Sequence, residues 1–399
     1  MNRTATIGTE PSAMLEELLA RRTTANLRFF EAEADRLARL CHLMAERFAR
    51  GGRLIAFGHS PAARSDARHV AVEFVHPVIV GKRALPAIAL TAEGGELALQ
   101  VELVAAADDI AMAFGAGEDE GQAARALACA RSRGCLTVSF TADTGAEWEF
   151  SPPSDDPYVR QELVETLYHV LWELVHVFFD HRGLLAGRDP RRTHDAGASS
   201  FLYPFLGEDE SSLTAVVDDV RRSALMKAQE IGSLREQTLT ENREELISTA
   251  EALRSSFDRG GKLLALGNGG SATDAMDIVA DLRAARRPAI DLTEDTSILT
   301  AVANDIGIEA IFSRQLFAYA VEGDALLALS TSGNSANVIM ALTEARRRNL
   351  VTIALVGYDG GRIGGEGLAD HVIVTRSEHI PRIQEAQASA YHALCELVG

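Results

Sequence analysis

Gly267-Asn268-Gly269-Gly270-Ser271-Ala272-Thr273-Asp274-Ala275-Met276-Asp277-Ile278-Val279-Ala280-Asp281 follows the apolar run Leu263 to Leu266 and leads into a helical pattern. It therefore reads as a strand, a glycine turn and a helix start. Glycines let the backbone turn tightly and approach a ligand, while unpaired N–H groups at a helix start attract an anion such as a phosphate. A tight turn without a ligand satisfies the same residues.

A second stretch separates these readings. Leu326 to Leu329 reads as another buried strand and ends in Ser330-Thr331-Ser332-Gly333-Asn334-Ser335, ahead of a helix over residues 336–348. An N-cap needs one hydroxyl. Four hydroxyls and an amide are a surplus, which favours a polyoxygen ligand such as a phosphoryl group.

Working outward, the chain repeats itself. Arg50-Gly51-Gly52-Arg53-Leu54-Ile55-Ala56-Phe57-Gly58 mirrors Arg259-Gly260-Gly261-Lys262-Leu263-Leu264-Ala265-Leu266-Gly267, and residues 86–91 match residues 288–293. With 399 residues, a tandem duplication gives two ordinary domains. In each half short apolar strands alternate with helices and a long helix closes the half, over residues 157–180 and 381–398. That pattern predicts an α/β class, a parallel sheet sandwiched by helices in three flavodoxin-like layers, with ligands at the carboxyl ends of the strands. The expected boundaries are residues 1–183, a linker over 184–210 rich in Gly, Arg, Asp and Ser, and residues 211–399. The linker's apolar patch, Phe201 to Leu206, is expected to pack on a domain surface. Helical lead-ins are expected over residues 11–50 and 219–257.

Several of these motifs resemble a known family. Gly267 to Ser271, Ala303-Asn304-Asp305, Ile311-Phe312-Ser313-Arg314, Ser330 to Val338 and Arg382-Ile383-Gln384-Glu385 are similar to the sugar isomerase (SIS) domain of phosphoheptose isomerases. The DnaA initiator-associating proteins are similar too, at Leu299 to Asp305 and Gly357-Tyr358-Asp359-Gly360-Gly361. The resemblance implies two tandem SIS domains. It also implies a substrate-binding set of Asn268, Gly269, Gly270, Ser271, Asn304, Asp305, Ser330, Thr331, Ser332, Asn334, Ser335 and Gln384.

The two halves differ at the residues the family uses. The first half has Gly58-His59-Ser60-Pro61 as its phosphate turn, where proline removes an N–H donor. Its hydroxyl loop has become Gly115-Ala116-Gly117-Glu118-Asp119-Glu120, whose three carboxylates repel a dianion. The same half keeps His69, Glu73, Gln161 and His169, which the resemblance identifies as the family's metal and acid/base residues. The implied cofactor is a divalent metal such as zinc. In the second half the matching residues are Asp277, Asp281, Gln384 and His392, a second metal set in which aspartates suit a harder cation.

The chemistry implied by the resemblance is aldose–ketose isomerisation through an enediol, with Glu73 or Asp281 as base and His169 or His392 as acid. Sedoheptulose 7-phosphate is the leading substrate. A sugar-phosphate-binding regulator or protein-interaction scaffold is the alternative, and the two aspartates favour it.

A formal charge of −18 disfavours general nucleic-acid or anionic-membrane binding. The four cysteines form no Cys-x-x-Cys pair, and residues 1–22 carry no apolar signal core, so a cytoplasmic protein with reduced thiols is expected. Family members are often tetramers of single domains, which implies a homodimer of this chain, a pseudo-tetramer of SIS domains.

Overall fold

Ten short strands carry the sequence's apolar runs, and a computed structural model places them in residues 9–79, 82–91, 95–115, 120–180, 185 and 212–399, the part of the chain that it describes. The first five are β1 (Leu54–Phe57), β2 (Ala87–Leu90), β3 (Ile110–Ala113), β4 (Leu136–Ser139) and β5 (Trp148–Glu149). The second five are β6 (Leu263–Leu266), β7 (Ala289–Asp291), β8 (Ala325–Ser330), β9 (Val351–Gly357) and β10 (His371–Thr375). They form two five-stranded sheets, ordered β2-β1-β3-β4-β5 and β10-β9-β8-β6-β7, with every pairing parallel. Counted within its own half, each sheet has the order 2-1-3-4-5, the flavodoxin-like arrangement.

The helices of the first half are α1 (Thr9–Ala49), α2 (Pro61–Val75), α3 (Leu97–Val104), α4 (Glu120–Ser132) and α5 (Pro157–Asp180). Those that follow are α6 (Leu213–Glu241), α7 (Arg243–Asp258), α8 (Gly270–Ala284), α9 (Thr296–Asp305), α10 (Ser313–Tyr319), α11 (Ala336–Arg347), α12 (Gly361–Gly365) and α13 (Ile380–Val398).

Buried on both faces, these strands read as unbroken apolar runs rather than alternating ones. In the first sheet Leu54, Ala56, Ile110 and Met112 face a core shared with Val70 and Phe74 of α2 and Leu167 and Leu171 of α5. The alternate residues Ile55, Phe57, Ala111 and Ala113 face Leu97, Val101, Leu127 and Ala130 of α3 and α4. In the second sheet Leu264, Leu266, Leu326 and Ala328 pack with Val338, Ala341 and Leu342 of α11 and Leu316 of α10.

The chain separates into two compact units, and their limits depart from the contiguous domains expected at residues 1–183 and 211–399. One unit is Ala25–Glu230; the other joins the described residues up to Thr24 to Ile231–Gly399. Packing explains the departure. Val216, Val220, Ala224 and Ala228, one turn apart on α6, belong to the first half's core, whereas Ile231 and Leu234 further along pack with Ala386 of α13. The expected linker lies outside the described residues except for Leu185, as do its apolar patch and residues 116–119 of the acidic loop.

The second lead-in is broken at Asn242, between α6 and α7. Its amide donates to Thr238 O (2.8 Å) and Val374 O (3.0 Å) and accepts from Val374 N (3.0 Å), so it closes the open edge of β10. All four cysteines are free thiols. No described helix is long and apolar enough to cross a membrane.

Candidate functional site

In a 2-1-3-4-5 sheet the first and third strands run side by side while their connections leave in opposite directions, opening a crevice at their carboxyl ends. In the second unit those strands are β6 and β8, and the two turns singled out in the sequence leave them there. Gly267 has no room for a side chain, since a Cβ would lie 2.1 Å from Ser271 O. Gly269 stands at the N-cap of α8 with φ 59° and offers no side-chain cap, leaving the first-turn N–H groups of α8 to other acceptors. In the hydroxyl turn, Gly333 has φ +63° and would place a Cβ 2.2 Å from Gly360 O.

Ser335 occupies the N-cap position of α11, yet its hydroxyl makes no capping bond. It faces Ser330 Oγ instead, at 3.3 Å. The hydroxyl that a cap requires is therefore not spent on capping. Ser332 Oγ accepts from Asn334 N (3.2 Å), and Asn334 Oδ1 accepts from Arg362 N (3.0 Å), which ties this turn to the one after β9.

The two turns are joined directly. Asn268 Nδ2 donates to Asn337 Oδ1 (3.0 Å), and Asn337 Nδ2 donates back to Asn268 Oδ1 (2.9 Å). Asn337 was not among the expected site residues. Its place two positions after Ser335, in the first turn of α11, was the signal available. Asn304 and Asp305 sit exposed at the end of α9, where Asn304 Nδ2 donates to Asp305 Oδ1 (2.7 Å).

The first unit keeps the turn and loses the cradle. Gly58 is as crowded as Gly267, with a Cβ 2.5 Å from Ala63 O, but Ser60 caps α2 by accepting from Ala63 N (3.4 Å) and Pro61 follows as the first helical residue. Its hydroxyl is committed to the helix.

What the first unit does hold is a buried polar cluster between α2 and α5. His69 Nε2 lies 3.4 Å from His169 Nε2 and 3.9 Å from Glu73 Oε1. His69, Glu165 and His169, all buried, bring one ligand atom each within 4.8 Å of one another. Two imidazoles and a carboxylate fit a divalent metal such as zinc. Burial, helped by His169, holds the His69 imidazole well below its ordinary range and so keeps it neutral, as a ligand must be. Burial also pushes the Asp66 carboxyl well up, against a hydrogen bond from Tyr168 that favours the charged form.

Gln161 is not a member of this trio. It precedes His169 by eight residues, about 12 Å of helix rise. Glu165, one turn before His169, supplies the third group; its Glu-x-x-x-His spacing was legible in the sequence and mirrors the His-x-x-x-Glu of His69 and Glu73.

In the second unit the matching helices α8 and α13 make a different site. His392 Nε2 lies 3.6 Å from Asp281 Oδ2, and Tyr391 Oη donates to Asp277 Oδ2 at 3.5 Å. Gln384 is buried on α13, two turns before His392. Among the described residues no three His, Cys, Asp or Glu ligand atoms gather in this unit, so Asp277, Asp281 and His392 do not form the second metal trio expected from the sequence. Each aspartate is a methylene shorter than glutamate and meets a single partner. Burial raises the Asp281 carboxyl, and His392 opposes the shift.

Residues 228–357 match the model of the SIS domain. The phosphoheptose isomerase of Trichlorobacter lovleyi is 48% identical over 155 residues, which are 37% of this chain and 78% of that protein. The chain belongs to the phosphoheptose isomerase family. Two solved structures are similar over 96% of the chain: the C-terminal domain of glucosamine-fructose-6-phosphate aminotransferase from Francisella tularensis (93% of that chain, TM-score 0.60, 10% identity) and tagatose-6-phosphate ketose/aldose isomerase from Escherichia coli (91% of that chain, TM-score 0.56, 13% identity). At those identities the likeness is one of fold. Both halves of this phosphoheptose isomerase relative are α/β SIS domains.

Proposed function

We propose that the protein is a sugar-phosphate aldose–ketose isomerase whose substrate is a seven-carbon ketose phosphate, sedoheptulose 7-phosphate. The observation that carries this reading is that α8 holds the hydroxyl-lined cradle at its first turn and Asp281, 3.6 Å from His392, near its last. Ten residues separate Ser271 from Asp281, about 15 Å of helix rise. A substrate held at both ends is therefore extended, as in the open-chain form that aldose–ketose chemistry uses.

The distal phosphate binds Ser271, Ser330, Thr331, Ser332 and Ser335 and the N–H groups at the start of α8. Asp281 takes the proton from the carbon beside the carbonyl, giving the enediol, and returns it to the neighbouring carbon. His392 gives a proton to one oxygen and accepts one from the other, so no net proton is gained or lost. The raised carboxyl of Asp281 is a stronger base than an exposed aspartate, which suits this step.

In the first unit, His69, Glu165 and His169, with Glu73 nearby, would hold a divalent metal such as zinc. When bound, such an ion supplies positive charge that stabilises a developing oxyanion. Burial of these side chains keeps the imidazoles neutral and excludes water from the cluster. The working assembly is a homodimer, and free thiols fit a reducing, cytoplasmic setting.

The replacement of the family's histidine and glutamate by Asp277 and Asp281 favours a second reading, a sugar-phosphate-binding regulator without turnover. Proton NMR with sedoheptulose 7-phosphate in deuterated buffer, with and without a chelator, decides between them. Aldose formation or deuterium uptake beside the carbonyl supports the isomerase. Binding without either supports the regulator.

A further inference from the structure

Tyr168 lies between two acidic or basic groups of the first unit, and it has a single proton to give. Its hydroxyl is 2.9 Å from His69 Nδ1 and hydrogen-bonds the Asp66 carboxyl on the same helix as His69. All three side chains are buried. The opposite nitrogen of His69, Nε2, is the one that faces His169 and Glu73.

The proton count has two solutions. If Tyr168 donates to His69 Nδ1, the neutral imidazole carries its proton on Nε2 and cannot ligate a cation there. If Tyr168 donates to Asp66, its oxygen accepts from Nδ1–H, and Nε2 presents a lone pair toward His169. Only the second arrangement makes His69 a ligand.

We propose that Asp66 and Tyr168 are positioning residues for a divalent-metal site at His69, Glu165 and His169: the carboxylate takes the tyrosine proton, the tyrosine oxygen takes Nδ1–H, and Nε2 is left to the metal. The proposal rests on the metal reading given above. The doublet recurs in the second unit as Tyr391-His392, where Tyr391 Oη donates to Asp277 Oδ2, a group with no tautomer to set. The tyrosine thus has a ligand-orienting partner only where the metal-type trio stands.

The test is the affinity of the purified, metal-stripped full-length protein for Zn²⁺, measured by competition with a chromophoric chelator. Tyr168→Phe keeps the ring and deletes the relay, Asp66→Asn leaves the tyrosine and removes the carboxylate, and His69→Ala removes the ligand. Thermal melts check that each variant is folded. Outer-shell partners of this kind are worth about 10- to 100-fold in metal affinity, so both relay variants are expected to bind that much more weakly, with His69→Ala weaker still. Imidazole ¹⁵N shifts of histidine-labelled protein give a readout that a packing role would not move: the His69 proton sits on Nδ1 in the wild type and loses that preference in Tyr168→Phe. If His69→Ala loses affinity while Tyr168→Phe and Asp66→Asn keep it, the positioning role falls and the metal site stands. If His69→Ala binds as tightly as wild type, the metal reading falls and takes this role with it.

Discussion

Asn268 and Asn337 exchange two hydrogen bonds, 3.0 and 2.9 Å long, and so clasp the glycine turn after β6 to the first turn of α11. Asn337 Oδ1 also accepts from Val338 N at 2.9 Å, which orients the amide within its own helix. A phosphate held by both turns depends on their separation, and the clasp fixes that separation before any ligand arrives. Asn337→Ala removes both bonds, each worth about 1 kcal/mol. Since about 1.4 kcal/mol is tenfold in affinity, binding of sedoheptulose 7-phosphate by calorimetry is expected to weaken by roughly tenfold or somewhat more, with the melting temperature little changed.

Gly333 tests the cradle from the other side. Its φ of +63° suits glycine, and a Cβ would lie 2.2 Å from the backbone oxygen of Gly360. Neither contact is a flexible side chain that could swing away. Gly333→Ala therefore has to push the hydroxyl turn off the turn after β9, and ligand binding should be lost while the circular dichroism spectrum of the folded protein is kept. Binding equal to wild type would show that the turn does not hold the phosphate.

Asp281 and His392 make a prediction in pH. Asp281 acts in its charged form, and burial raises its pKa while His392 opposes the rise. Activity should fall as the pH drops through a value above the usual carboxylate range near 3.9. Replacing His392 by Gln removes the opposing positive charge, so the acid limb should move to higher pH, alongside a loss of the order of 100-fold in kcat. Asp281→Asn should abolish deuterium uptake beside the carbonyl and leave ligand binding within a few-fold of wild type.

The fold was legible because it depends on local pattern. Leu263 to Leu266 and Leu326 to Leu329 are apolar runs bounded by glycine or serine turns, and the repeat of Arg50 to Gly58 at Arg259 to Gly267 fixed the duplication. The cradle was legible for the same reason, since turns and helix starts are set by neighbours in the chain. The unit limits were not, because α6 gives successive stretches to different cores and no composition change marks Ile231. The polar cluster was half legible: His69 and His169 were placed by resemblance, whereas Glu165 follows from which face of α5 meets α2. The partnership of Asn268 with Asn337 spans 69 residues and depends on the side-by-side packing of β6 and β8.

Asn242 predicts stability rather than activity. Its side chain makes three hydrogen bonds, two of them to the backbone of Val374 on β10, the edge strand of the second sheet. Asn242→Ala leaves the Val374 N–H and C=O without this partner, and such losses cost about 1 to 3 kcal/mol. For a unit of this size about 2 kcal/mol corresponds to a fall in melting temperature of about 6 °C. The cradle lies at β6 and β8, away from this edge, so ligand affinity below the melting range should be unchanged. Asn242→Asp separates the two halves of the contact: the carboxylate still accepts from Val374 N but cannot donate to Val374 O or Thr238 O. Its melting temperature should fall between those of the wild type and Asn242→Ala, and equality with wild type would show that the donated bonds contribute nothing to the edge.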